Sequence, residues 1–232
     1  MVVRGHEGLC SMTSNHKTPP VTEIAYILDM SGSMSSHAEA AVTGFNDFLR
    51  EQQEVDGVAR ITLVLFDDQY EVPIDSLPVG EVCTIVTSVY TPRGTTALLD
   101  AIGKTMKRFK DLPKNSKPDQ VIFAIFTDGL ENASRKYSWQ DIAGKIKKRQ
   151  EKNGWGFLFL AAGQDAIATA AQMNIHAHNA ATVSEDNMFS PRDSGRAMSR
   201  KIRAMREMDA TAADLSAPMD SILREEEQRD EF

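Results

Sequence analysis

One group of oxygen-bearing side chains in this sequence has the spacing to hold a cation. An apolar run ending at Leu28 is followed at once by Asp29-Met30-Ser31-Gly32-Ser33, and another ends in Phe126-Thr127-Asp128-Gly129. If both runs are strands of one open α/β sheet, both loops emerge at its carboxyl edge, where such sheets bind ligands. Asp29 and Asp128 then face one another. At about 5 Å and an effective dielectric of about 20 their repulsion is on the order of 3 kcal/mol. Neither loop contains a Lys or Arg to offset it. The hydroxyls of Ser31, Ser33 and either Thr95 or Thr96 add neutral oxygens, and an all-oxygen set suits a hard divalent cation, Mg²⁺ or Mn²⁺. Taken singly, each loop would read as a helix cap or a turn; it is the pairing that points to a metal.

The elements that must position these residues are legible as apolar runs. Ile24 to Leu28, Ile61 to Phe66, Val121 to Phe126 and Phe157 to Ala161 read as strands buried on both faces, as parallel strands covered by helices do. Between them lie helical stripes: Ala41, Val42, Phe45, Phe48 and Leu49; Leu98, Ile102, Met106 and Phe109; Trp139, Ile142, Ala143 and Ile146; and a shorter Ala166, Ile167, Ala170 and Ala171. The alternation predicts an α/β, Rossmann-like layered sheet. Tyr70, Val72 and Ile74 alternate ahead of turn residues Asp75 and Ser76, which predicts an antiparallel edge strand hairpinned to Ile61–Phe66. A last helix through Met198, Ile202 and Met205 is expected to pack back on the sheet. Residues 1–20 read as a flexible leader, 21–208 as the domain, and 209–232 as an acidic tail without structure.

Composition narrows the partners. With 41% hydrophobic residues in 232, the chain fills one core of ordinary domain size. A net charge of -7 disfavours a nonspecific nucleic-acid binder. The two cysteines, Cys10 and Cys83, make neither a disulfide framework nor a zinc cluster. No run approaches the roughly 20 apolar residues needed to cross a bilayer, and the polar N-terminus lacks a signal-peptide core, so the protein is expected in the cytoplasm and not in a membrane.

Asp29-Met30-Ser31-Gly32-Ser33 resembles the Asp-x-Ser-x-Ser signature of von Willebrand factor type A domains, their metal-ion-dependent adhesion site. Gly94-Thr95-Thr96-Ala97-Leu98 with Ala101 fits the second segment of that signature with Thr96 as the ligand, and Asp128 fits the last. The likeness runs in element order from about Val21 to Met208 and looks closest to stand-alone bacterial and phage proteins of this type. Three phrases carry it: Thr91 to Ile102, Thr127 to Ser134, and Gly163 to Ala168. The resemblance implies that Ser31, Ser33 and Thr96 hold the metal directly or nearly so, that Asp29 and Asp128 act through water, and that one position stays open for an acidic side chain of a protein partner. That is binding without bond-breaking, so no enzyme is expected.

Other features take plainer readings. His176 and His178 have no acidic or sulfur ligand near them in sequence and read as surface residues. Lys145, Lys147, Lys148, Arg149 and Lys152 read as a solvated helix face. Gln164 and Asp165 fall on the sheet edge of the metal, as rim contacts or, for Asp165, a helix cap. The rival function is a Mg²⁺-dependent phosphohydrolase with Asp29 as nucleophile, but such enzymes of the haloacid dehalogenase type place a second Asp two residues on, and here that place holds Ser31. A role as one subunit of a larger machine would need its ATPase on another chain, because no Gly-x-x-x-x-Gly-Lys loop is present.

Overall fold

A computed structural model describes residues 19–162, 165–183, 191–207 and 215–229. The strands are β1 (Val21–Asp29), β2 (Val58–Phe66), β3 (Tyr70–Pro78), β4 (Gln120–Thr127), β5 (Gly156–Ala162) and β6 (Ala180–Val183). The helices are α1 (Ala38–Gln53), α2 (Leu98–Lys110), α3 (Trp139–Asn153), α4 (Ala166–Gln172), α5 (Pro191–Arg206) and α6 (Met219–Arg229). The sheet order is β3-β2-β1-β4-β5-β6. Every neighbouring pair is parallel except β2 with β3. This is the expected α/β class, a mostly parallel sheet with one antiparallel edge strand and helices on both faces.

Strand parity divides the core in two. Ile24, Tyr26, Leu28, Ile122, Ala124 and Phe126 pack with α1, α5 and α6. Ala25, Ile27, Val121, Phe123, Ile125 and Phe157 pack with α2, α3 and α4. Because both faces are covered, both parities must be apolar, and the runs in the sequence are continuous rather than alternating. On the first face α5 meets α1 without a side chain between them: a Cβ on Gly195 would lie 2.9 Å from the Gly44 carbonyl oxygen. That approach seats Met198 and Ile202 fully buried against the sheet. A polar seam closes the far end, where Gln52 Nε2 donates to Ser199 Oγ at 2.8 Å and Arg206 Nη1 donates to Gln52 Oε1 at 2.8 Å.

Two expectations need correction, and one strand was not expected. Asp75 and Ser76 do not end β3, which runs on to Pro78 with irregular pairing. Ser76 takes a positive φ of 49°, its N–H donates to Thr62 Oγ1 at 3.0 Å, and its hydroxyl donates to buried Glu23 at 2.6 Å. The turn chemistry is real but builds a bulge inside the strand. β6 is four residues long and carries too few positions to show a period. In the acidic tail, residues 219–229 form α6, whose Met219, Ile222 and Leu223 are buried in the first core. Among the described residues no helix is long and apolar enough to cross a membrane. Of the leader, only Pro19 and Pro20 fall within the described residues.

Candidate metal centre

β1 and β4 lie side by side with Leu28 paired to Phe126, so the loops after them open together at the carboxyl edge. The first loop is tied down on three sides. Met30 N donates to Phe66 O at 2.6 Å, Arg93 N donates to Met30 O at 2.9 Å, and Gly32 N donates to Gly94 O at 3.2 Å. Gly94 has φ of +65°, a conformation that favours glycine, and a Cβ there would displace the Asp68 carboxylate, whose Oδ1 would stand 2.3 Å away. The 29–33 loop, the 93–97 segment and the end of β2 are thereby one assembly.

Asp29 forms the floor. It is fully buried; its Oδ1 accepts Ser31 N–H at 2.8 Å and its Oδ2 accepts the Thr127 hydroxyl at 2.5 Å. Its backbone carbonyl accepts the Tyr90 hydroxyl. From there hydroxyls lead to the opposing loop: Ser31 Oγ and Ser33 Oγ are 3.1 Å apart, and Ser33 donates to Asp128 Oδ1 at 2.8 Å. Thr96 joins from the head of α2. A Cβ on Gly129 would lie 2.9 Å from Thr96 Oγ1 and 3.7 Å from Ser33 Oγ, so both hydroxyls converge on Gly129. Asp29, Ser31 and Thr96 are buried, Asp128 is half-buried and Ser33 is exposed, which makes a cup open to solvent on one side. Thr95 is exposed and lines a neighbouring cleft with Asp68 and Asn132. The structure thus separates the two threonines that the sequence left as alternatives.

The electrostatics show what the cup lacks. Burial pushes the Asp29 carboxyl up to about 6, outweighing the Thr127 and Ser31 hydrogen bonds that lower it, and the charge of Asp128 adds to the rise. Asp128 is also raised, chiefly by burial, against the Ser33 hydrogen bond and the nearby His37. Two carboxylates held above their ordinary range, with hydroxyl oxygens turned towards them, fit a divalent cation. The donor set is all oxygen, which fits a hard ion. Among the described residues no three His, Cys, Asp or Glu side chains are grouped to hold a metal, so a site at this edge depends on its hydroxyls.

A second layer sets the loops. Asp67, fully buried at the end of β2, accepts Gln69 N–H at 2.5 Å and Arg93 Nε–H at 2.9 Å, and its carbonyl accepts Ala97 N–H at 2.9 Å. Glu131 caps α2, accepting Leu99 N–H at 2.9 Å while also holding Ser134 N–H at 2.7 Å. Asn132 Oδ1 accepts Thr96 N–H at 3.0 Å. Sequence reasoning passed over Asp67, Thr127 and Glu131. Asp67 follows an apolar run as Asp29 and Asp128 do, and that shared signal would have found it. Asp165 caps α4 through Ala168 N–H at 2.9 Å, and Gln164 lies outside the described residues. His176 and His178 stack on each other, with ring centroids 5.4 Å apart.

Gly129 tests the cup without touching a charge. In Gly129→Ala the new methyl presses on Thr96 Oγ1, and divalent-metal affinity is expected to fall about 10- to 100-fold with stability nearly unchanged. Calorimetric titration beside a thermal melt reads both; unaltered affinity would show that Thr96 is not part of the site.

Residues 24–131 match the family model described as von Willebrand factor type A domain. No curated protein sequence matches the chain. Among solved structures, similarity extends to a von Willebrand factor type A protein from Catenulispora acidiphila (16% identity, TM-score 0.56, covering 80% of this chain and 43% of that one). It extends also to proximal thread matrix protein 1 from the mussel byssus with a zinc-occupied MIDAS motif (13%, 0.54, 81% and 46%). A third is manganese-loaded TRAP protein of Plasmodium vivax (16%, 0.50, 74% and 72%). At these identities the likeness is one of fold, and the chain spans less than half the length of the first two.

Proposed function

We propose that the chain, whose residues 24–131 match the von Willebrand factor type A domain, is a protein-binding module that recognises an acidic side chain of its partner through a divalent cation. The observation that carries this is the convergence of Asp29, Ser31, Ser33, Thr96 and Asp128 on one solvent-open cup with two carboxylates raised by burial. Ser31, Ser33 and Thr96 would hold the ion, with Asp29 and Asp128 as its outer carboxylates. Direct ligation by neutral hydroxyls leaves the cation electron-poor, and the cation supplies attraction for a carboxylate from outside. The zinc of the mussel byssus protein and the manganese of the Plasmodium vivax protein support a divalent ion; hard oxygen donors favour Mg²⁺ or Mn²⁺ here. We place the protein in the cytoplasm and give it no catalytic role. Against the phosphohydrolase reading, Asp29 is fully buried and the place two residues on holds Ser31, which leaves no general acid there for a leaving group. Phosphatase turnover lost in Asp29→Asn would reverse that preference.

Thermal melting with Mg²⁺ and Mn²⁺ tests the site. At ten times the dissociation constant, linkage gives about 1.4 kcal/mol, or about 3 to 6 °C for a domain of this size. The shift is expected in the wild type and absent in Asp128→Ala. Equal shifts in both would place the metal elsewhere.

A further inference from the structure

The flank formed by α2 and α3 holds a recess of about 290 Å³ whose walls are cationic: Lys107 and Lys110 from α2, and Lys145, Lys148 and Arg149 from α3. Its floor is built rather than left over. Tyr137 N–H donates to Asp100 Oδ1 at 3.0 Å, which fixes the residue beside α2. The Tyr137 ring then lies directly on Gly103, where a Cβ would come within 2.4 Å of the ring carbons. Lys145 Nζ sits 5.5 Å from the ring centroid. Lys107 is paired with Asp111, and Asp141, whose carboxyl is held low chiefly by its Ser138 hydrogen bonds, also feels the charge of Lys145. Lys110, Lys145, Lys148 and Arg149 make no ion pair within 4.0 Å among the described residues. No carboxylate lines the recess. Gathering these cations with no carboxylate in ion-pair contact with them costs mutual repulsion, and it occurs in a chain whose net charge is -7.

We propose that this recess binds a compact, multiply charged phosphate group, such as the diphosphate or triphosphate of a small molecule. Its volume is near the lower end for small-ligand pockets, and Lys ammonium groups bind phosphate oxygens as point charges from several directions. A recess of this volume seats only a short anion, and binding of a long polyanion is an outcome that the test distinguishes. The recess lies along the last two turns of α2, away from Thr96 at its head, so the proposal does not rest on the metal centre.

The test is calorimetric titration of EDTA-treated protein with pyrophosphate, tripolyphosphate and ATP at about 0.15 M salt, followed independently by the fluorescence of Trp155, whose ring Arg149 covers at 4.9 Å. Saturable binding below about 1 mM is expected. It should weaken about tenfold or more in Lys145→Ala/Lys148→Ala and stay unchanged in Lys147→Ala, which removes a charge from the same helix outside the recess. Comparable affinity for all three ligands identifies the phosphate group itself; preference for ATP identifies a nucleotide. No binding at about 1 mM, equal weakening by Lys147→Ala, or tighter binding of a poly-glutamate peptide or single-stranded DNA would overturn the proposal.

Discussion

Replacing Asp29 with asparagine is expected to stabilise the metal-free domain at neutral pH while abolishing its response to divalent cations. The Asp29 carboxyl is raised from 3.8 to about 6 by burial. Below its unfolded value both states are protonated and the residue is neutral to stability. As pH rises through about 6 the folded carboxyl must ionise inside the fold, and at most about 3 kcal/mol is lost between those limits. Asparagine removes that loss. Its amide oxygen can accept Ser31 N–H, and its NH₂ can donate to Thr127 Oγ1, whose own proton then turns to Gly129 O at 3.1 Å. Metal-free Asp29→Asn should therefore melt about 3 to 8 °C higher than wild type at pH 7.5 and no higher at pH 3.5. At a metal concentration a thousand times the wild-type dissociation constant the order reverses, since wild type gains about 4 kcal/mol and the variant nothing. A variant less stable than wild type without metal would show that Asp29 serves the fold rather than a cation.

The second large effect is expected far from the cup. Lys201 is fully buried in α5, and its ammonium donates to the carbonyls of Leu215 at 2.7 Å and Ala217 at 2.6 Å, just ahead of α6. Lys201→Ala removes the stem and leaves both carbonyls without their donor, at a cost of about 2 to 4 kcal/mol, or about 5 to 15 °C in Tm. Lys201→Met restores volume but no donor, so the difference between the two separates packing from hydrogen bonding. Hydrogen exchange across residues 219–229 should accelerate in both variants. Wild-type melting in Lys201→Ala would mean that α6 is held by Met219, Ile222 and Leu223 alone.

These two residues mark the limits of reading from sequence. Asp29 was legible because a strand end followed by Ser-x-Ser is a local pattern, and because Asp128 repeats it one strand away. The strands were legible for a related reason: burial on both faces writes itself as continuous apolar runs. Lys201 was not, since its partners are backbone carbonyls of another segment and it stands between Arg200 and Arg203 in a basic stretch. α6 was hidden in the same way. Met219, Ile222 and Leu223 supply a core stripe of only three side chains, beside a run of Glu and Arg that by composition alone reads as solvated. The choice of Thr96 over Thr95 rested on the family resemblance, and the fold separates them by burying one and exposing the other.

The converging oxygens come from opposite sides of the sheet. Ser31 and Ser33 precede α1, which covers one face, and Thr96 precedes α2, which covers the other. A cation shared between them would add to the Gly32–Gly94 and Arg93–Met30 backbone hydrogen bonds that already tie the loops leading into the two layers. Fluctuations that lift one helical layer while leaving the other in place would then have to break the coordination shell first. Amide exchange in α1 and α2, slowed independently in the free protein, would become a single event governed by the residence time of the ion.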